Sequence, residues 1–296
     1  MGKIFKMFLS ALLVFIVSCA GEQKDEYKYN IGLVISTLNN PFFVKLKEGA
    51  EEAARLNNVE LSVLDSQNDA IKELSNVESL IVSGVDLIII NPTDSDAVSS
   101  AVKLANNSNI PVITVDRNAS QGKVVSYIAS DNVQGGVMAG ELICELLKGK
   151  GKVAEIEGIP GTSAARERGR GFDEALKQCP GVEKVVKQPA DFDRNRALVV
   201  VENILQVHKD INAIFAHNDE MALGALKAIE ESGKSIYVVG FDGTEDAIKA
   251  IRDGRLTATI AQQPSKMGKI AVETAIKYLN GEQIEPNVKV ELLVIK

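Results

Sequence analysis

Polar, charged and aromatic residues collect just behind short apolar runs in this chain. "NIGLVI" is followed by "STLNNPFF", which supplies Ser36, Asn39, Asn40, Phe42 and Phe43. "PVITV" is followed by Asp116 and Arg117, and "KVAEIEG" by "IPGTSAARERGRGF" with Arg166 and Arg168. "VVKQPA" leads into "DFDR" with Phe192, "INAIFA" into His217, Asn218 and Asp219, "YVVG" into Phe241 and Asp242, and "TATIA" into Gln262. Carboxylates accept hydrogen bonds, arginine donates through a planar fork, and Asn and Gln do both. Aromatic rings add flat apolar faces. A ring bearing several hydroxyls needs this mixture, because its hydroxyls donate and accept while its C–H faces are apolar. Phe42 and Phe43 stand where a helix entrance is usually polar. They read as one wall of a pocket with Phe192 opposite, or else as helix–sheet core.

The apolar runs themselves read as buried strands rich in Val and Ile: "NIGLVIS", "ELSVLDS", "DLIIINP" and "PVITVDR". Between them, "FFVKLKEGAEEAARL", "IKELSNVESLIVSG" and "SDAVSSAVKLANNS" place apolar residues at helical spacing. The rhythm restarts after residue 130. Repeated βα units predict parallel sheets covered by helices on both faces, here as two doubly wound lobes with a boundary near residues 128–132. In such sheets ligands bind in the crevice beyond the carboxyl ends of the strands, where the residues above fall.

The 296 residues carry 33 basic and 40 acidic side chains, a net charge of −7, which argues against nucleic acid as a partner. "MGKIFK" followed by about eleven mostly apolar residues has the form of a secretory signal, too short for a membrane span of ~20 residues. It ends in "IVSC", which resembles a lipobox, so residues 1–18 are read as a lipoprotein signal peptide, Cys19 as the lipidated residue and 19–28 as a polar tether. Cleavage there removes two lysines, leaving 31 basic against 40 acidic residues, or −9. Cys144 and Cys179 remain, as a disulfide or as two thiols. His208 and His217 lie too far apart in sequence to form a helical metal-ligand pair, and no metal or cofactor is expected.

In order along the chain, "STLNNPFF", "VLDSQND", "INPTDSDAV", "IPVITVDR", "IASDN", "GTSAARERG", "QPADFDR", "NDEMALGA", "VVGFDGT" and "ATIAQ" closely resemble the ribose-binding members of the substrate-binding proteins of sugar ABC importers. The resemblance covers residues 29–296. It implies the type I periplasmic binding protein fold, with one lobe at 29–130 plus 263–290, the other at 131–262 plus 291–296, and a three-stranded hinge. It places ligand contacts on Ser36, Asn40, Phe42, Phe43, Asp116, Arg117, Arg168, Phe192, Asn218, Asp242 and Gln262. Arg168 rather than Arg166 fits the family's Arg-x-x-Gly-Phe. The implied partners are D-ribose or a similar monosaccharide, a membrane permease and a chemoreceptor. The implied location is the periplasm or the outer face of the cell membrane. Two departures stand out: the lipobox, and His217 where glutamine is expected in the enteric member of the family. Another pentose or a furanose-like signal molecule is the alternative ligand.

Other chemistries fit less well. "GIPGTS" lacks the lysine of a phosphate loop. "DFDRNR" lacks the oxygen spacing of a calcium loop. Asp116 and Asp242 could form an acid–base pair. Arg117 and Arg168 nearby are expected to hold them ionised, which suits binding rather than catalysis. A transcription regulator would need a DNA-binding headpiece where the signal stands. If Cys19 is acylated, the natural protein should fractionate with membranes and a Cys19→Ala variant should carry no lipid. An unmodified Cys19 in the intact mass would refute the anchor.

Overall fold

The computed structural model describes residues 27–296; the signal, the lipobox and most of the tether lie outside them. The described chain forms two six-stranded sheets. The first runs β11 (Asn287–Val290), β5 (Ser126–Ser130), β4 (Val112–Val115), β3 (Leu87–Ile90), β1 (Tyr29–Ile35) and β2 (Val59–Asp65). Every pairing in it is parallel. The second runs β12 (Leu293–Ile295), β10 (Ala258–Ala261), β9 (Tyr237–Asp242), β8 (Ala213–Ala216), β6 (Gly151–Glu157) and β7 (Val182–Pro189). Only its edge strand β12 is antiparallel. The central strands are apolar on both faces because helices cover both.

On the first sheet, α1 (Pro41–Leu56) and α9 (Pro264–Leu279) cover one face, while α2 (Ala70–Ser83) and α3 (Val98–Asn107) cover the other. On the second, α4 (Asn132–Leu146) and α5 (Ser163–Lys177) lie opposite α6 (Arg194–Val207), α7 (Asp219–Ser232) and α8 (Glu245–Arg252). The two doubly wound lobes read from the sequence are therefore present. The chain passes between the sheets after β5, after β10 and between β11 and β12. Lys289 Nζ donates to Asp131 Oδ2 (2.5 Å) and Gln263 Nε2 to the Glu291 carbonyl (3.0 Å) at these passages.

The lobes also meet away from these passages. Ser95 N donates to the Gly161 carbonyl (3.0 Å), Asn118 N to Ser163 Oγ (3.0 Å), and Lys45 pairs with Glu245 (3.5 Å).

The second lobe's α4 and α5 approach almost to backbone contact. A Cβ on Gly136 would sit 2.1 Å from the Arg168 carbonyl oxygen, so no larger residue fits unless the helices part. Cys144 of α4 and Cys179, just beyond α5, are both free thiols packed against the same core. Gly136→Val should destabilise the fold by about 1–3 kcal/mol through overpacking. Urea denaturation reads this directly, and an unchanged midpoint would mean that the helices separate freely.

Candidate functional site

Where the carboxyl ends of the two sheets face one another lies a cavity of about 240 Å³. It is lined by Asn40, Phe42, Phe43, Asp116, Arg117, Ala164, Arg168, Phe192, Asn218, Asp242 and Gln262. Its walls combine amide, charged and aromatic side chains, which suits a small polar ring. A larger cleft of about 1640 Å³ adjoins it, lined by Lys45, Glu48, Glu245, Lys266 and Lys269 among others. Those charges are solvated and the cleft is open, so the small cavity with its buried polar walls is the candidate site.

Asn40 and Asn218 serve two structures at once. Each caps a helix: Asn40 Oδ1 accepts from Phe42 N (2.9 Å) and Asn218 Oδ1 from Met221 N (2.9 Å). With their oxygens committed, their amide groups are left as donors. Asn218 Nδ2 also reaches the Phe192 carbonyl (3.4 Å).

Phe42 and Phe43 settle the choice between wall and core by doing both. They are 4 % and 3 % exposed, belong to the first lobe's core, meet edge-on at 5.2 Å, and line the cavity. Rings and guanidinium groups then alternate across the cleft. Arg117 lies 5.1 Å from both the Phe43 and Phe192 rings, and Arg168 lies 5.9 Å from Phe192 and 3.8 Å from Phe241. Such contacts are worth most when desolvated, as here.

The charged residues are almost wholly buried: Asp116, Arg117 and Arg168 at 3 % exposure and Asp242 at 5 %. Arg117 Nε stands 3.7 Å from Asp116 Oδ2, and Arg168 Nη1 stands 3.8 Å from Asp242 Oδ1. These are attractive distances but not direct hydrogen bonds. Asp116 Oδ1, Arg117 Nε and Gln262 Oε1 have no hydrogen-bond partner among the described residues. Gln262 Nε2 donates to Asp242 Oδ1 (2.8 Å). Arg168 is fixed by Asn132 Oδ1 (2.9 Å) and the His217 carbonyl (2.5 Å), and Arg117 by the Pro92 carbonyl (3.1 Å).

Burial works against the expectation that the arginines hold both carboxylates ionised. Burial pushes the Asp116 carboxyl up despite the opposing pull of Arg117, Arg168 and Asn91. Burial pushes Asp242 well above the usual range, against Arg168 and with the help of Asp219. Desolvation outweighs attraction because neither arginine closes a direct hydrogen bond to its acid.

Backbone conformation aims these groups. Asp116 (φ 64°), Phe192 (φ 60°) and Asp242 (φ 124°) all have positive φ, each costing of order 1–3 kcal/mol unless the surroundings enforce it. The Phe192 ring rests on Gly158, where a Cβ would fall 2.0 Å from Cζ.

Several sequence-derived residues lie elsewhere. Ser36 does not line the cavity: it is fully buried, with its Oγ donating to Asn91 Oδ1 (2.6 Å). Asn91, which the sequence reading did not single out, donates on to the Val115 carbonyl (3.1 Å) and Asp116 Oδ2 (3.4 Å). Ser36 thus stands two hydrogen bonds behind Asp116, through Asn91. Its short side chain after a strand end looks the same in sequence whether it faces a ligand or a neighbour. Ala164 lines the cavity but carries no polar signal. Arg166 turns back to the Gly161 carbonyl (2.8 Å), and Asp219 is held under the second sheet by Thr259 Oγ1 (2.7 Å) and Thr244 N (2.7 Å).

A family model described as "Periplasmic binding protein domain" matches residues 31–283. The ribose import binding protein of Escherichia coli (strain K12) is 52 % identical over 298 residues, spanning 100 % of this chain and 99 % of that protein. The ribose import binding protein of Bacillus subtilis (strain 168) is 48 % identical, spanning 99 % and 98 %. Among solved structures, an ABC transporter periplasmic solute binding protein from Actinobacillus succinogenes with bound D-allose superposes with a TM-score of 0.86 at 34 % identity, covering 91 % of this chain and 98 % of that one. The chain belongs to the periplasmic binding protein domain family.

Proposed function

We propose, from that membership, that the chain binds D-ribose in the cavity between its lobes and delivers it to the permease of a sugar ABC importer. The observation that carries this reading is the set of buried polar atoms without protein partners, an acceptor on Asp116, a donor on Arg117 and an acceptor on Gln262. Sugar hydroxyls both give and take, and so can satisfy all three. Asn40 and Asn218 add donors, and Phe42, Phe43 and Phe192 supply faces for C–H groups. The same carboxylates and arginines are read as hydroxyl partners, with no covalent step. D-Allose is the second ligand to consider, since the superposed neighbour carries it.

We place the lobe boundaries at 29–130 plus 263–290 and 131–262 plus 291–296, with the three passages between sheets as the hinge. Export to the periplasm follows from the family. Anchoring through Cys19 and presentation to a chemoreceptor are further parts of the proposal.

Truncating one partner of a desolvated charged hydrogen bond costs ~1–3 kcal/mol or more. Asp116→Ala should therefore weaken ribose binding at least about tenfold while thermal unfolding shows a folded protein. Calorimetric titration of a panel of pentoses and hexoses decides the ligand. An unchanged affinity in Asp116→Ala would remove that residue from the site.

Site residues come from both sheets, so a sugar can touch all of them only when the lobes meet. Ribose should favour the closed form by its differential affinity for it. Small-angle X-ray scattering should show a smaller radius of gyration with saturating ribose. An identical scattering profile with and without sugar would count against hinge closure.

A further inference from the structure

His217 lies directly behind the cavity and touches none of it. Its imidazole is fully buried between β6, β7, β8 and α5. Gly158 N donates to Nδ1 (3.4 Å), so Nδ1 is the acceptor and Nε2 carries the proton, which it gives to Glu155 Oε1 (3.0 Å). The ring stacks at a tilt on Phe215, 5.1 Å away. Three of the second lobe's cavity residues adjoin this residue, one of them through its ring. The His217 carbonyl holds Arg168, Gly158 forms the seat of the Phe192 ring, and Asn218 follows His217 in the chain.

We propose that His217 is a positioning residue that works only as a neutral imidazole, so that sugar affinity falls as the ring takes up a second proton. This inference rests on the ribose reading. A second proton would sit on Nδ1 and turn it from acceptor to donor. It would then face the Gly158 N–H, two donors without an acceptor between them. The loop under Phe192 and the turn that carries the Arg168 anchor would have to move apart.

The charges around the ring set how readily that happens. Glu155 of β6 favours the protonated ring, but it is already engaged by Lys184 (2.6 Å) and Lys187 (3.4 Å) of β7. Lys187 is shared with Glu157 (2.7 Å) and Lys184 with Asp173 of α5. Arg168 of α5 brings a further cation, balanced on its other side by Asp242 of β9. Burial, Arg168 and Lys187 together outweigh Glu155 and lower the His217 pKa from its usual 6.5. Because folding lowers its value, the neutral ring costs the fold stability as pH falls below the usual 6.5 toward the lowered value, so the effect belongs to the acid side of neutrality.

Glutamine offers one acceptor and one donor, as the neutral ring does, and does not titrate. Ribose affinity should be measured by calorimetry for wild type, His217→Gln and His217→Leu at about pH 7.5 and about pH 5. His217→Gln should bind within about threefold of wild type at the higher pH, while His217→Leu, which lacks both bonds, should bind at least about tenfold more weakly. Between the two pH values wild type should lose at least about threefold more affinity than His217→Gln. Protonation of Asp116 and Asp242 affects both proteins alike and cancels in that comparison. A glutamine variant that tracks the wild-type pH curve overturns the proposal even if His217→Leu fails to fold. Wild type without ribose binding at either pH overturns the ribose reading, and the proposal with it.

Discussion

Two carboxyl and two guanidinium groups are buried together where the lobes meet, and neither pair makes a direct hydrogen bond across its own gap. That constraint shapes the rest of the site. Charges removed from water must be compensated, by partners or by a shift toward the neutral form. Here the compensation is partial: carbonyls and amides fix the arginines, rings cover their faces, and the acids are pushed upward by burial. Among the atoms that stay unsatisfied, Asp116 Oδ1, Arg117 Nε and Gln262 Oε1 belong to residues that line the cavity. A site with tight internal salt bridges would be more comfortable without its ligand and less able to recognise one.

Holding such groups ready costs backbone strain, and the fold supplies the means locally. Three cavity residues with positive φ sit at or just beyond strand ends, where the next backbone bond can be enforced. Asp116 N donates to the Ile128 carbonyl, and Gln262 N to that of Asp242, tying each turn to a neighbouring strand. Asn40 and Asn218 stand at helix caps, so the hydrogen bond that starts a helix also points its amide. The doubly wound architecture makes this possible because both lobes bring strand ends and helix starts to the same edge.

Most of this was legible because it follows from position. A polar or aromatic residue just after a buried apolar run lies at the carboxyl edge of a parallel sheet, which is why Asp116, Phe192 and Asp242 could be read in sequence. The same rule picks out Ser36, whose hydroxyl is turned to Asn91. Asn91 itself went unread, since a single Asn before Pro92 looks like an ordinary turn residue. Ala164 shows that a wall can be defined by smallness, which no polar pattern signals. The upward shifts of the Asp116 and Asp242 carboxyls were the least legible part. They depend on how completely the lobes exclude water, and that is a property of the closed assembly rather than of neighbours in sequence. The short edge strands β11 and β12 also lack a periodic signature, and their division between the sheets was implied only by resemblance.

The distribution of charge between the lobes bears on closure. Asp116 and Arg117 lie on the first lobe, and Arg168 and Asp242 on the second. Each lobe therefore carries one acid and one base at its rim, formally neutral by itself. Had the first lobe carried both acids and the second both arginines, closure would bring opposite charges together whether or not a ligand lay between them. Opening would then separate unlike charges at a large cost. With each pair internal to a lobe, the Coulomb terms change little as the cleft opens. What separates the two states is then a small sum: the hydrogen bonds between Ser95 and Gly161 and between Asn118 and Ser163, the exposed Lys45–Glu245 pair, the contact of Arg117 with the Phe192 ring, and the desolvation of the four ionisable groups. A balance that close is one a ligand can tip with a handful of hydroxyl hydrogen bonds, because its hold over the equilibrium extends only as far as its preference for one state.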